Sequence, residues 1–214
     1  MKIKCLGGFR EVGRNAVLLE TKKENIMLDF GMKVETGDIP LYPGPVDSVM
    51  LAHAHLDHSG AIPTLYRNEK PKTYSTIVTL EQAHLLLKDS MKIARIKGFE
   101  KHYNENHIKN MRQNESRVTY GQQFQTKKAV VEAYDAGHIP GSIIYVLEID
   151  GKRILYTSDF KLEQTRLLNG AKIDKIKNID LAIMESTYAS REHPDRKETE
   201  KKLFDYVKET VLND

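Results

Sequence analysis

Several familiar features are missing from this chain. A single cysteine, Cys5, stands among 214 residues, which excludes an intrachain disulfide, a CxxC redox pair and a two-cysteine zinc motif. Tryptophan is absent. No run approaches the roughly 20 apolar residues of a membrane span. The opening Met1-Lys2-Ile3-Lys4-Cys5 lacks the apolar stretch of a secretory signal. A soluble, cytoplasmic protein with no membrane partner is expected. The 13 glycines and 7 prolines follow no short period, so a collagen-like chain is excluded. Neither charge dominates: 33 Lys and Arg face 30 Asp and Glu, a net +3. With 40% hydrophobic and 29% charged residues the chain has folded rather than disordered composition. Its length suits one domain with a sizeable core. Cys5, in a short apolar run, is expected to be a small core residue.

Short strands alternate with helices, an α/β pattern. Strands are expected at 2–6, 15–20, 26–29, 47–52, 129–135, 142–149 and 152–157, with a buried one at 179–184. Asp150-Gly151 suits a two-residue hairpin because both positions tolerate positive φ. Helices are expected from Ser59, as N-cap, to Asn68 and over Glu105–Gln113. Another runs from Thr79 to Lys97, with Thr79 and Gln82 in capping-box spacing and Leu86, Ile93 and Ile96 on an apolar face. A last one spans Asp195–Leu212, with Leu203, Phe204, Val207 and Val211 on one side. Residues 98–128 are otherwise polar and weakly patterned. Asp29, His53, Asp159 and Glu185 each stand at or just past a strand end, and His138 follows one by three residues. Polar residues at strand exits gather along one sheet edge, so a single site built from distant segments is expected.

The sharpest motif is His53-Ala54-His55-Leu56-Asp57-His58. In extended chain His53 and His55 point the same way and can grip one ion. A turn at Leu56 would carry Asp57 and His58 aside, toward a second ion. Imidazole and carboxylate suit a borderline ion such as Zn²⁺. Surface histidines ahead of a helix would have little reason to crowd so closely. His138, in a Gly-framed turn, and Asp159, able to give one oxygen to each of two cations, extend the set.

With Asp29 in Leu28-Asp29-Phe30-Gly31, these residues resemble the metallo-β-lactamase superfamily, and His55 within the HxHxDH motif is similar to its zinc branch. The resemblance implies an αββα sandwich with the site at one edge. Gly7-Gly8-Phe9-Arg10-Glu11-Val12-Gly13-Arg14 and Met184-Glu185-Ser186-Thr187-Tyr188 further resemble the β-CASP nucleases, among them RNase J and the cleavage and polyadenylation specificity factor endonuclease. That group reads Gly-Asp-Phe where this chain has Ser158-Asp159-Phe160. It continues into a β-CASP domain whose later part supplies a histidine near the scissile phosphate, and the closing segment of its metal domain supplies another to the second ion. The expected division is therefore a metallo-β-lactamase domain over 1–189 and the start of a β-CASP domain over 190–214, in a chain truncated before the rest. His193, the one histidine after Asp159, lies too early to replace those histidines.

The resemblance implies two zinc ions in the full-length protein, and one or none in a fragment. His53, His55, His138 and Asp159 would hold the first, and Asp57, His58 and Asp159 the second. Asp29 would sit behind them and fix a ligand histidine. Asp57 and Glu185 are the catalytic candidates; Glu185 would either orient a histidine from the absent domain or help protonate the leaving oxygen. A water between two cations loses a proton near neutral pH and attacks phosphorus in line. The expected activity is hydrolysis of single-stranded RNA, internal or from an end. A thioester or lactone hydrolase and a silent RNA-binding subunit are the alternatives, and a homodimer is an expected assembly. Residues 88–128 carry ten Lys or Arg against four Asp or Glu, a local excess that would steer an anionic chain. Phe99 and Tyr103 there could stack on bases or pack in the core.

Overall fold

The computed structural model describes residues 1–192 and 194–213; His193 lies outside the described residues. The chain divides into two compact units, Met1–Met184 and Glu185–Asp214. In the first, strands β1 (Lys2–Gly7), β2 (Ala16–Glu20), β3 (Asn25–Leu28), β4 (Ser48–Met50), β5 (Lys72–Ser75) and β6 (Glu115–Arg117) form a sheet in that order. Pairing is antiparallel from β1 to β3 and parallel from β3 to β6. A second sheet has the order β11-β10-β9-β8-β7. Its strands are β7 (Gln123–Gln125), β8 (Val130–Asp135), β9 (Ile143–Ile149), β10 (Lys152–Tyr156) and β11 (Leu181–Ile183).

Alternation along the strands builds two cores. Val17, Leu19, Ile26 and Leu28 face the second sheet and meet Val131, Ala133, Tyr145, Leu147 and Ile154. Leu18 and Met27 point the opposite way, into a cluster with Ala83 and Leu87 of helix α2 (Ile77–Lys97) and Ile108 and Met111 of helix α3 (Glu105–Gln113). The layers are helix, sheet, sheet. A four-residue helix, α1 (Leu56–Ser59), follows β4, and helix α4 (Arg196–Asn213) belongs to the second unit. No helix among the described residues is long and apolar enough to cross a membrane.

Glu24, fully buried just before β3, clasps the two sheets at the end opposite the strand exits. Its carboxylate accepts from Ser48 Oγ at 2.8 Å and Thr126 Oγ1 at 2.8 Å. It also takes the backbone N–H groups of Lys127 at 3.2 Å, Lys128 at 2.7 Å and Ala129 at 3.3 Å. Five donors replace the water that burial removes.

Several local expectations need correction. Cys5 is exposed rather than in the core, because β1 is an edge strand and its Lys-Ile-Lys-Cys run stays largely open to solvent. β11 is likewise an edge strand and Leu181 is exposed, so 179–184 is not buried. The helix expected from Ser59 begins earlier, at Leu56, and passes into a 3₁₀ turn over Ile62–Tyr66. Ser59 caps nothing there; its hydroxyl donates to the Ala54 carbonyl. The α2 cap is Thr76, whose hydroxyl accepts from Thr79 N–H. The buried side of α2 runs through Leu80, Ala83, His84 and Leu87, whereas Ile93 and Ile96 are exposed. Tyr103 is buried in the core, with its hydroxyl 2.9 Å from Ser90 Oγ, whereas Phe99 is half-buried and packs over Gly37.

Candidate metal centre

The strand exits converge. Three residues beyond β4, His53 is wholly buried, while His55 reaches the surface. His55 Nδ1 stands 3.1 Å from His53 Nε2 and 3.4 Å from His138 Nε2. Asp159 Oδ2 lies 3.9 Å from His53 Nε2 and 3.6 Å from His138 Nε2. Ligand atoms of these four residues all fall within 4.8 Å of one another. Three imidazoles and a carboxylate form a donor set that suits a divalent ion such as zinc. Burial, reinforced by the three neighbouring histidines, holds the His53 imidazole well below its usual pKa. His55 is lowered in the same direction, chiefly by burial. Both therefore keep a lone pair at neutral pH, as a metal ligand must.

A second group adjoins the first. His58 Nε2 is 3.4 Å from Asp57 Oδ2 and 3.6 Å from Asp159 Oδ1. Asp159 thus turns one oxygen to each group. Burial opposes charge on His58, but Asp29 and Asp57 outweigh it and raise its pKa to about 10, so a cation at Nε2 would have to displace a proton. Burial also works against ionised Asp57, yet the His58 contact holds its carboxyl below the usual range.

Support comes from residues far apart in sequence. Asp29, in a left-handed conformation at φ 50, accepts Ala52 N–H on Oδ1 at 2.7 Å. Its Oδ2 faces His58 Nδ1 at 2.7 Å and accepts from Tyr156 at 2.6 Å and Ser158 at 3.0 Å. Asn15 Nδ2 lies 3.0 Å from His58 Nε2 and 3.4 Å from Asp57 Oδ2. The backbone of α1 is strapped by Asn15 N–H to Asp57 O, Phe30 N–H to His58 O and Met32 N–H to Leu56 O, each at 2.8 Å. Gly31 permits this approach, because a Cβ there would meet Asp57 O at 1.6 Å. The turn bearing His138 is held by α2: Thr76 and Thr79 donate to Gly141 O at 2.8 and 2.9 Å. Asn15, Tyr156 and Ser158 carry no signal in a linear motif, since their partners lie in other segments. Glu185 falls in the second unit, two residues past β11.

Comparison with known proteins agrees with this architecture. The metallo-beta-lactamase superfamily domain matches residues 18–188. "RNase aCSPSF2" of Saccharolobus solfataricus is 35% identical over 98% of this chain and 43% of that protein. The "RNase J-like protein" of Methanocaldococcus jannaschii is 38% identical over 99% of this chain and 49% of its own length. "Transcription termination factor FttA" of Methanothermobacter thermautotrophicus is 34% identical, over 98% of this chain and 35% of that protein. This chain therefore spans half or less of the length of these relatives. Among solved structures, a protein of unknown function from Enterococcus faecalis superposes with a TM-score of 0.63 at 19% identity, over 91% of this chain and 52% of that one. With its helix–sheet–sheet layers and matched domain, the chain belongs to the metallo-beta-lactamase superfamily.

Proposed function

We propose that this chain carries the metal-binding part of a zinc-dependent ribonuclease of the β-CASP group, which hydrolyses phosphodiester bonds in single-stranded RNA. The observation that carries the reading is Asp159, with Oδ2 toward His53 and His138 and Oδ1 toward His58. Such a carboxylate fits between two cations: His53, His55 and His138 would hold one, and Asp57 and His58 the other. Relatives named as RNases point to RNA as the substrate. Bound divalent ions would supply a lowered pKa for attacking water and neutralise charge on the phosphate.

The chain's own residues do the remaining work. Asp57, its carboxyl held below the usual range, would accept and orient a proton of the attacking water. Asp29 holds the His58 ring with Nδ1 toward itself, leaving Nε2 for the site. Partial exposure of His55, His138 and Asp159 leaves the cluster open to a large substrate, whereas His53 and His58 are shielded from water. For Glu185 the β-CASP resemblance implies one of two roles, protonation of the leaving oxygen or orientation of a further histidine. A cytoplasmic setting and a homodimer accompany this proposal.

The test is cleavage of labelled single-stranded RNA by the gene's full product, with and without Asp57→Asn. Loss of cleavage by roughly 100-fold or more, with the fold intact, is expected; unchanged cleavage would sink the assignment. Hydrolysis of a thioester or lactone with indifference to RNA would favour the small-substrate reading. RNA binding without cleavage would favour a silent subunit.

A further inference from the structure

We propose that Ser158 is a positioning residue for the cation ligands, retained in a left-handed backbone because its hydroxyl ties Asp29 to the rear nitrogens of His53 and His58. The proposal rests on the cation-binding reading above. Ser158 has φ 50, a region where a side chain carries a steric cost that glycine avoids. A glycine would adopt this backbone without that cost, so the backbone shape alone does not call for serine.

What serine adds is one buried oxygen with three partners. Ser158 Oγ lies 3.0 Å from Asp29 Oδ2, 3.1 Å from His58 Nδ1 and 3.5 Å from His53 Nδ1. Only 4% of the residue is exposed, so water does not replace these contacts cheaply. The hydroxyl proton goes to the Asp29 carboxylate, which cannot donate. Its lone pairs then face the two imidazoles, which favours protons on both Nδ1 atoms. Each ring is left to present Nε2 forward. His53 Nε2 faces the group with His55 and His138, and His58 Nε2 faces Asp57. A single hydroxyl therefore steadies one ligand in each group.

The experiment is competition for Zn²⁺ against a chromophoric chelator, and the visible spectrum of the Co²⁺-loaded protein, for wild type, Ser158→Gly and Ser158→Ala. Both variants lose the hydroxyl; glycine relieves the backbone and alanine does not. Weakening of Zn²⁺ binding by about tenfold or more in both variants, with an altered Co²⁺ spectrum and a native circular dichroism spectrum, is the expected result. Wild-type affinity in either variant, or loss of the native fold in the glycine variant, overturns the proposal. Absence of any Zn²⁺ or Co²⁺ binding by the wild type would instead overturn the cation-site reading, and this inference with it.

Discussion

Asp29 shows how much can rest on one carboxylate. It is fully buried and its two oxygens meet Ala52 N–H, His58, Tyr156 and Ser158. Asp29→Asn keeps the shape but turns an acceptor into a donor facing donors. A loss of about 3 kcal/mol in urea denaturation is expected, together with a 10–100-fold drop in Zn²⁺ affinity measured by calorimetry. Gly31→Ala acts by volume instead. Its Cβ would collide with the Asp57 carbonyl, so α1 must shift. In the gene's full product the expected outcome is a fall from two bound zinc ions to one by elemental analysis; two retained ions would show that the strap is not needed. At this scale the sequence was partly readable. His53, His55, Asp57 and His58 declare themselves because they lie within one turn of chain. Asn15 and Tyr156 do not, since each becomes informative only once a strand from elsewhere is laid beside it.

The elements depend on end contacts as much as on their interiors. Thr76 caps α2 with its oxygen and donates its proton to Gly141 O, so it serves the helix and the His138 turn together. Thr76→Ala should cost about 1 kcal/mol of unfolding free energy, read as a lower denaturant midpoint at unchanged slope, and loosen His138. On the second sheet, burial works against ionised Glu132, but hydrogen bonds from Tyr134 and Gln123 and the Arg153 charge prevail and lower its pKa from the ordinary 4.5. A carboxyl lowered on folding stabilises fully above its unfolded pKa and loses that contribution as pH falls through the folded one. The stability gap between wild type and Glu132→Gln should therefore be wide at pH 7 and close toward pH 3. Helix α3 and the Asp150-Gly151 hairpin were legible because local signals set them. β5, β6 and β7 were not: each has three or four residues and exists through its partners in the sheet. Exposure of β1 and β11 was hidden for a related reason, since an apolar run does not reveal that it lies at an edge.

At the scale of the molecule, a bound cation would favour the native state alone. Zinc at 100 times its dissociation constant adds about 2.7 kcal/mol per site. Removal by a chelator should lower the melting temperature by roughly 5–10 °C for a chain of this size, and zinc should restore it. A melting point indifferent to chelator would contradict the site. At the opposite end of the sandwich the clasp is a side chain. There Glu24 already occupies the place of a ligand, gathering the amides of Lys127, Lys128 and Ala129. These three protons belong to a tight bend whose two lysines face solvent. In deuterated buffer they should nonetheless exchange as slowly as amides of the central strands, and Glu24→Ala should release those of Lys127 and Lys128 within the dead time, while Ala129 N–H keeps Thr126 Oγ1 at 3.0 Å and the distant imidazoles stay unperturbed.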